Sequence, residues 1–319
     1  MPFFSSKVPS NFPQNVRLDK YIASLPDGFN RSKLKSGVTQ ILINGNVAKL
    51  SSKVKASDQI DIEWEDNIPD NIEPQDIKLN YIYEDDNVTV VNKEQGMVTH
   101  PAAGNWDNTL VNALLFHWGR SSIPQIKEGE PSEIYELRRP GIVHRLDKDT
   151  SGVIITAKNR ESEEWLQTQF QSRYVIKEYI LITVGHPPAR FGDVKTMIVR
   201  DPKDRKRYKA LCDTQEGKFA RTLYHCIAFY GKYTLIRVRL KTGRTHQIRV
   251  HMKYLGCPVL GDPIYGKKDD LFPNATLMLH SRLLRIKLPN EADYTSFKAA
   301  IPERFISVMK KLKEEYTDE

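Results

Sequence analysis

Between Tyr233 and Leu240 the chain alternates: Ile236, Val238 and Leu240 are apolar, and Arg237 and Arg239 stand between them. A period of two marks a β-strand with one face in a core and the other in water. The apolar runs Val88–Val91, Val153–Ala157 and Tyr179–Val184 also read as strands. Helical stretches interleave at Thr109–Trp118, Ser162–Gln171 and Thr245–Leu255, and a charged amphipathic helix is expected from Pro302 onward. Residues 120–138 are polar, carry Pro124 and Pro131, and read as a surface loop. No repeat period is visible. The class predicted is α+β, with a mixed, largely antiparallel sheet and flanking helices.

A length of 319 residues exceeds what one core usually serves, and two domains are expected. Residues 1–15 are polar and proline-containing and read as a loose arm. Leu18, Tyr21, Ile22 and Leu25 follow helical spacing, and Pro26-Asp27-Gly28 ends that helix. A second short helix, Arg31 to Lys35, has Ser32 as its cap. Ile41 to Val47 reads as a strand, an Asn44-Gly45 turn and a return strand, and Val54 to Trp64 as a closing strand. The small unit therefore covers 16–64. An acidic stretch with Pro69 and Pro74 makes 65–77 a linker, and the larger domain runs from 78 to 319.

Apolar content of 39% and charged content of 28% suit a folded soluble protein. No apolar run approaches the roughly 20 residues that cross a bilayer, and Met1-Pro-Phe-Phe-Ser-Ser lacks the pattern of a secretory signal. Cys212, Cys226 and Cys257 are too few and scattered for a disulfide framework or zinc site, so reduced thiols in the cytoplasm are expected. Charge is unevenly placed. Residues 171–260 hold 19 Lys/Arg against 6 Asp/Glu, whereas 65–140 hold 6 against 14. A basic segment of that size suits a polyanionic partner, and its strand-like sequence argues against a membrane-surface helix.

The stretch from Gly141 to Gly152 sets Asp147 between Arg145 and Lys148, ahead of a Thr150-Ser151-Gly152 turn. Nearby cations favour an ionised carboxylate, which can act as nucleophile or base. Alone, such a cluster also fits a strand start with surface charges, and Arg145 could simply pair with Asp147. Further on, Thr245 reads as the cap of a helix whose buried stripe is Ile248, Met252 and Leu255, with Arg249 off that stripe and Gly256 as the stop. His246 and His251 lie five apart and off a common helical face, so no metal site is expected.

His144-Arg-Leu-Asp-Lys-Asp-Thr-Ser-Gly152 resembles the catalytic motif of the RluA/RluD-type pseudouridine synthases. Val91 to Pro101, Val175 to Ile180, Leu240 to Met252 and Gly261-Asp-Pro-Ile-Tyr-Gly266 match further stretches of that family in order. Glu94 and Met97 depart from its usual residues. The resemblance implies that Asp147 is the catalytic carboxylate, that Tyr179 lines the uracil and serves proton transfer, and that Arg249 pairs with Asp147. It also implies that Arg145 fills the gap left by a flipped base and that Ile248 packs against the base. His144 and Lys177, from the same motifs, complete the expected substrate-binding set. Asp149 and the 261–266 stretch are read as structural turns. The unit 16–64 resembles the S-four-type RNA-binding domain, which implies RNA contacts by Arg31, Lys33 and Lys35.

The resemblance is closest to the RluD-like branch, and it implies cofactor-free isomerisation of uridines in large-subunit ribosomal RNA, free or in assembling subunits. A monomer is expected. A transfer RNA substrate, or a non-catalytic ribosome-assembly factor that keeps the fold, stands as the alternative.

Overall fold

The structure is a computed structural model that describes residues 3–13, 15–25, 38–64, 71–102, 105–124, 141–204, 206–212 and 214–316. The chain divides into two compact units, Met1–Pro69 and Asp70–Glu319.

In the first unit, β1 (Phe3–Lys7), β2 (Val16–Arg17) and α1 (Leu18–Ser24) precede β3 (Val38–Ile43), β4 (Asn46–Val47), β5 (Lys53–Val54) and β6 (Gln59–Trp64). An antiparallel sheet runs in the order β1-β6-β3-β4, and β2 pairs with β5. Asn44 and Gly45 carry φ of 53° and 77°, the double positive pair of a tight two-residue hairpin turn. Leu18, Tyr21 and Ile22 of α1 pack with Ile41, Ile60 and Ile62 of the sheet. The loose arm expected over 1–15 needs correction. Phe3 to Lys7 pair along β6, and Val8 is buried. An edge strand leaves a row of unpaired N–H and C=O groups, and β1 satisfies that row on β6. The second helix expected here, with Arg31, Lys33 and Lys35, lies outside the described residues.

The second unit begins earlier than position 78. β7 (Asn71–Ile72), within the stretch expected as linker, pairs with β10 (Ile123–Pro124). Ile72 is fully buried against Val111 and Leu115, so this end of the stretch belongs to the larger core. The sheet is built from β8 (Tyr81–Glu84), β9 (Val88–Lys93), β11 (Ser151–Ala157), β12 (Ile176–Val184), β13 (Phe191–Arg200), β14 (Tyr208–Leu211), β15 (Lys218–Tyr230), β16 (Tyr233–Leu240), β17 (Leu279–Lys287) and β18 (Tyr294–Lys298). Its order is β14-β13-β15-β16-β12-β17-β11-β9-β8, with β18 also on β17. Every pairing is antiparallel except β11 with β17. Among the described residues the helices of this unit are α2 (Leu110–His117), α3 (Arg160–Gln171), α4 (Gln247–Tyr254) and α5 (Glu303–Glu315). This is the α+β architecture predicted.

Alternation decides where side chains go. In β16 Ile236 and Val238 are fully buried while Arg237 is exposed. β9 and β11 are buried on both faces. Val91 and Ile154 join the core of α2, α4 and α5, whereas Val88, Val90, Val153 and Ile155 join a second core with Leu166 of α3. Burial of each such side chain stabilises by about 1.5–3 kcal/mol.

The start of β11 carries a tight constraint. Gly152 has φ of 117°, and a Cβ there would lie 2.1 Å from the Ser281 carbonyl oxygen of β17. Gly96 also has a positive φ, 88°, but a Cβ there would meet nothing within 4 Å. Gly152→Ala is expected to cost on the order of 3 kcal/mol through strain and overlap, and Gly96→Ala about 1 kcal/mol through strain alone. Urea unfolding of both variants checks this; equal losses would show that the close approach to β17 does not constrain the fold.

Candidate active site

The Asp147 loop ends one strand of the sheet and is held by the end of its neighbour. β9 runs antiparallel to β11, so the turn after β9 lies against the loop before β11. Lys93, 1% exposed, donates through Nζ to the carbonyls of Glu94 (2.8 Å), Met97 (2.8 Å) and Lys148 (3.2 Å). Burial pushes its pKa down to about 7, against the pull of Asp147 and Asp149. Thr99 donates to the Leu146 carbonyl (3.0 Å), Gly96 N–H to that of Lys148 (2.9 Å), and Gln95 Nε2 to that of Asp149 (2.8 Å). The Asp147 carbonyl takes Thr150 N–H at 3.0 Å. Four successive carbonyls, 146 to 149, are therefore satisfied, and the loop has little freedom to re-aim Asp147. The Val91–Pro101 motif acts through this clamp.

The Asp147 carboxylate is 21% exposed, and its Oδ2 lies 3.5 Å from Arg249 Nη1 and 3.9 Å from His246 Nε2. The flanking cations expected to hold it do not. Lys148 donates to Asn105 Oδ1 at 2.9 Å, and Arg145 is exposed with no ion pair to a described residue. Reach explains this: side chains at 145 and 148 leave the loop toward solvent, whereas α4 delivers Arg249 from the core.

Arg249 is itself gripped. Its Nε and Nη2 each donate to Asp262 at 2.8 Å, and its guanidinium lies 5.2 Å from the Tyr265 ring centroid. Asp262 also accepts from the N–H groups of Ile264 (2.9 Å) and Tyr265 (3.0 Å). Burial alone would push the Asp262 carboxyl up, but Arg249 and those two N–H groups outweigh it and hold the pKa below the usual carboxylate range. The 261–266 stretch, expected as a structural turn, thus supplies the counter-charge of the site.

The helix that carries Arg249 differs from the sequence expectation. Its N-cap is His246 in the left-handed region (φ 55°), not Thr245, and no side chain caps it. The turn before it is closed instead by Gln247, whose Oε1 accepts from Thr242 Oγ1 (2.8 Å) and Arg244 N–H (3.0 Å). Arg249, outside the apolar stripe, is buried as deeply as Ile248, because Gln247 through Met252 are all enclosed. At the other end Gly256 (φ 80°) stops the helix as expected, with Cys257 N–H on the Met252 carbonyl at 3.0 Å. His246 shares a hydrogen bond with the Tyr265 hydroxyl (2.9 Å), and burial lowers its pKa against the pull of Asp147. His251 lies apart, between the hydroxyls of Thr196 (3.0 Å) and Thr222 (2.8 Å).

A cavity of about 430 Å³ opens over Asp147, a size suited to a small organic group. Asp147, Tyr179, Ile248, Arg249, His144, Lys177 and Arg145 all line it. Lys177 and Tyr179, two apart on β12, share a face with Leu240 and Val238 of β16. Tyr179 is 7% exposed. Burial raises its pKa above the usual phenol value, Asp147 adds to the rise, and a hydrogen bond with Ser281 opposes it. It is a neutral phenol. His144 accepts Ile155 N–H at Nε2 (3.1 Å) and stacks on Phe170 at 4.6 Å, and burial lowers its pKa to about 3. That geometry pins the loop to β11. Seven of the ten expected site residues thus meet at one cavity, while Arg31, Lys33 and Lys35 lie outside the described residues. Lys93, His246 and Asp262 were missed as functional residues, although each stood inside a motif already singled out.

A family model described as RNA pseudouridylate synthase matches residues 87–254. Ribosomal large subunit pseudouridine synthase D of Borreliella burgdorferi is 40% identical over 297 residues, covering 91% of this chain and 88% of that protein. The protein of the same name from Vibrio cholerae is 36% identical over 314 residues, covering 94% and 92%. Among solved structures, human RNA Pseudouridylate Synthase Domain Containing 4 shares the fold, with a TM-score of 0.55, 24% identity, and coverage of 73% of this chain and 93% of that one.

Asp262→Asn leaves a guanidinium that is 3% exposed facing a neutral amide. The expected loss is about 3–5 kcal/mol at neutral pH. Since the Asp262 pKa is lower folded than unfolded, its contribution is complete above the unfolded value of about 3.9 and fades as pH falls through the folded one. The wild type should therefore lose stability below about pH 4 more steeply than the Asn variant. Urea unfolding at pH 7 and pH 3 tests both, and unchanged stability at pH 7 would overturn the assignment.

Proposed function

The chain belongs to the RNA pseudouridylate synthase family, and from that premise we propose that it acts on uridines of large-subunit ribosomal RNA through Asp147. The reaction of an RNA pseudouridine synthase breaks the N1 glycosidic bond, turns the uracil, and rejoins it to the ribose through C5. The proton on C5 is lost and one on N1 is gained, so atoms and electrons balance within the substrate. The proposed reaction therefore calls on no cofactor. The base leaves its stack to enter the cavity, at a cost of a few kcal/mol.

The observation that carries this reading is the Asp147 carboxylate, aimed into a cavity and 3.5 Å from a buried arginine. Arg249 orients the carboxylate; Asp262 in turn holds Arg249. Asp147 engages the ribosyl–uracil unit. Tyr179, a neutral phenol, offers a flat face and a hydroxyl to the base, and it passes a proton only while receiving another. Ile248 gives the base an apolar wall. Arg145, exposed beside the cavity, replaces the flipped base in its stack. His144 holds the loop and lines the cavity. The first unit adds RNA affinity through Arg31, Lys33 and Lys35, in the manner of the S-four-type domain it resembles, and phosphate contacts of that kind orient the RNA.

Asp147→Asn keeps the shape of the side chain and removes its charge. Pseudouridine formation on a large-subunit ribosomal RNA transcript is expected to fall by at least about 10²-fold, with RNA affinity retained. An Asn variant that works at the wild-type rate would refute the role of Asp147. Pseudouridine mapping in cells with and without the protein tests the substrate: positions missing from transfer RNA alone would overturn the ribosomal assignment.

A further inference from the structure

Buried and half-buried cations at the core of the second unit meet acceptors. Lys93 has three carbonyls, Arg249 has Asp262, and Arg304 donates to Ser151 Oγ and the Leu279 carbonyl. Lys177 departs from that pattern. It lines the cavity, two residues from Tyr179, and forms no hydrogen bond or ion pair with a described residue. Its Nζ lies 5.6 Å from the Phe170 ring centroid, and a Cβ on Gly243 would be 3.5 Å from it. The Phe170 ring face offers a cation–π contact, but neither neighbour supplies a hydrogen-bond acceptor or a full negative charge. His144 is neutral, with Nε2 already on Ile155 N–H. Lys177 is half-buried, and burial lowers its pKa.

The rest of the wall adds to the imbalance. Arg173, Lys241 and Arg244 line the same cavity, and Asp147 is the one carboxylate among its described lining residues. A site so arranged is incomplete until an anion enters.

We propose that Lys177 binds a phosphate of the nucleotide whose base is engaged at Asp147. The inference rests on reading the cavity as a uridine site. It also answers a need of the chemistry: between bond cleavage and bond formation the uracil is free to turn, and the ribose must stay in place. An ammonium on β12, beside Tyr179, anchors the sugar through its phosphate while the base moves. A compact point charge with three donors suits a phosphate oxygen.

The test compares binding of uridine, uridine 5′-monophosphate and uridine 3′-monophosphate, at matched ionic strength, by ligand-observed NMR. Wild type, Lys177→Met and Lys177→Arg are used. One monophosphate is expected to bind wild type about tenfold or more tightly than uridine, the scale of one hydrogen bond to a charged group. That preference should vanish in the Met variant and persist in part in the Arg variant. Which monophosphate is preferred tells whether the 5′ or the 3′ phosphate is held. Equal binding of uridine and both monophosphates, or a preference that survives in the Met variant, would each overturn the proposal. Binding is read independently of turnover. An enzyme that makes no pseudouridine yet shows the Lys177-dependent preference would sink the functional reading and leave the anion site standing.

Discussion

The site depends on one guanidinium. Arg249 is 3% exposed, bound at two nitrogens by Asp262 and directed at Asp147 by a third. A charge so deeply buried is costly unless it is paired and hydrogen-bonded. Asp262 meets most of that requirement, at 2.8 Å on both oxygens, which leaves Nη1 free to face the Asp147 loop. The longer 3.5 Å approach to Asp147 follows from this division. Arg249 steadies Asp147 without occupying it, and the carboxylate keeps a free edge for a substrate.

Around that pair the sheet acts as a frame. β11 begins between β9 and β17, so the Asp147 loop is pressed from both sides. Lys93, Gln95, Gly96 and Thr99 take the carbonyls on one side, and Gly152 permits the approach to β17 on the other. Tyr179 and Lys177 come from β12, and Arg249 comes from the helix after β16. Neighbouring strands of a rigid sheet hold such groups with small errors, which chemistry requires of a preorganised site.

Much of this was legible beforehand. Alternation in β16 announced a half-buried strand, Asn44-Gly45 announced a hairpin, and Gly256 announced a helix stop. The order of the motifs pointed to Asp147, Tyr179 and Arg249 together. The failures share a cause. Lys148 stands next to Asp147 in the chain yet reaches Asn105, while Asp262 stands far away and completes the site. Proximity along the chain says little about where a long side chain ends. Thr245 had the chemistry of a cap, but the left-handed turn at His246 and the reach of Gln247 settled the helix start. Residues 3–7, Phe-Phe-Ser-Ser-Lys, lack any strand alternation and became a strand because β6 offered an open edge.

Local patterns by themselves determined most of the elements, the α+β class and the candidate site residues, because period, turn chemistry and residue type are properties of short stretches. The pairing of those elements was decided by the tertiary structure alone. Only packing could show that Lys93 closes the Asp147 loop, that Asp262 holds Arg249, and that Lys177 makes no hydrogen bond or ion pair with a described residue. Each of those facts is a matter of which charge is desolvated beside which acceptor. Desolvation depends on everything that surrounds a group in space, and no short stretch of chain carries that information.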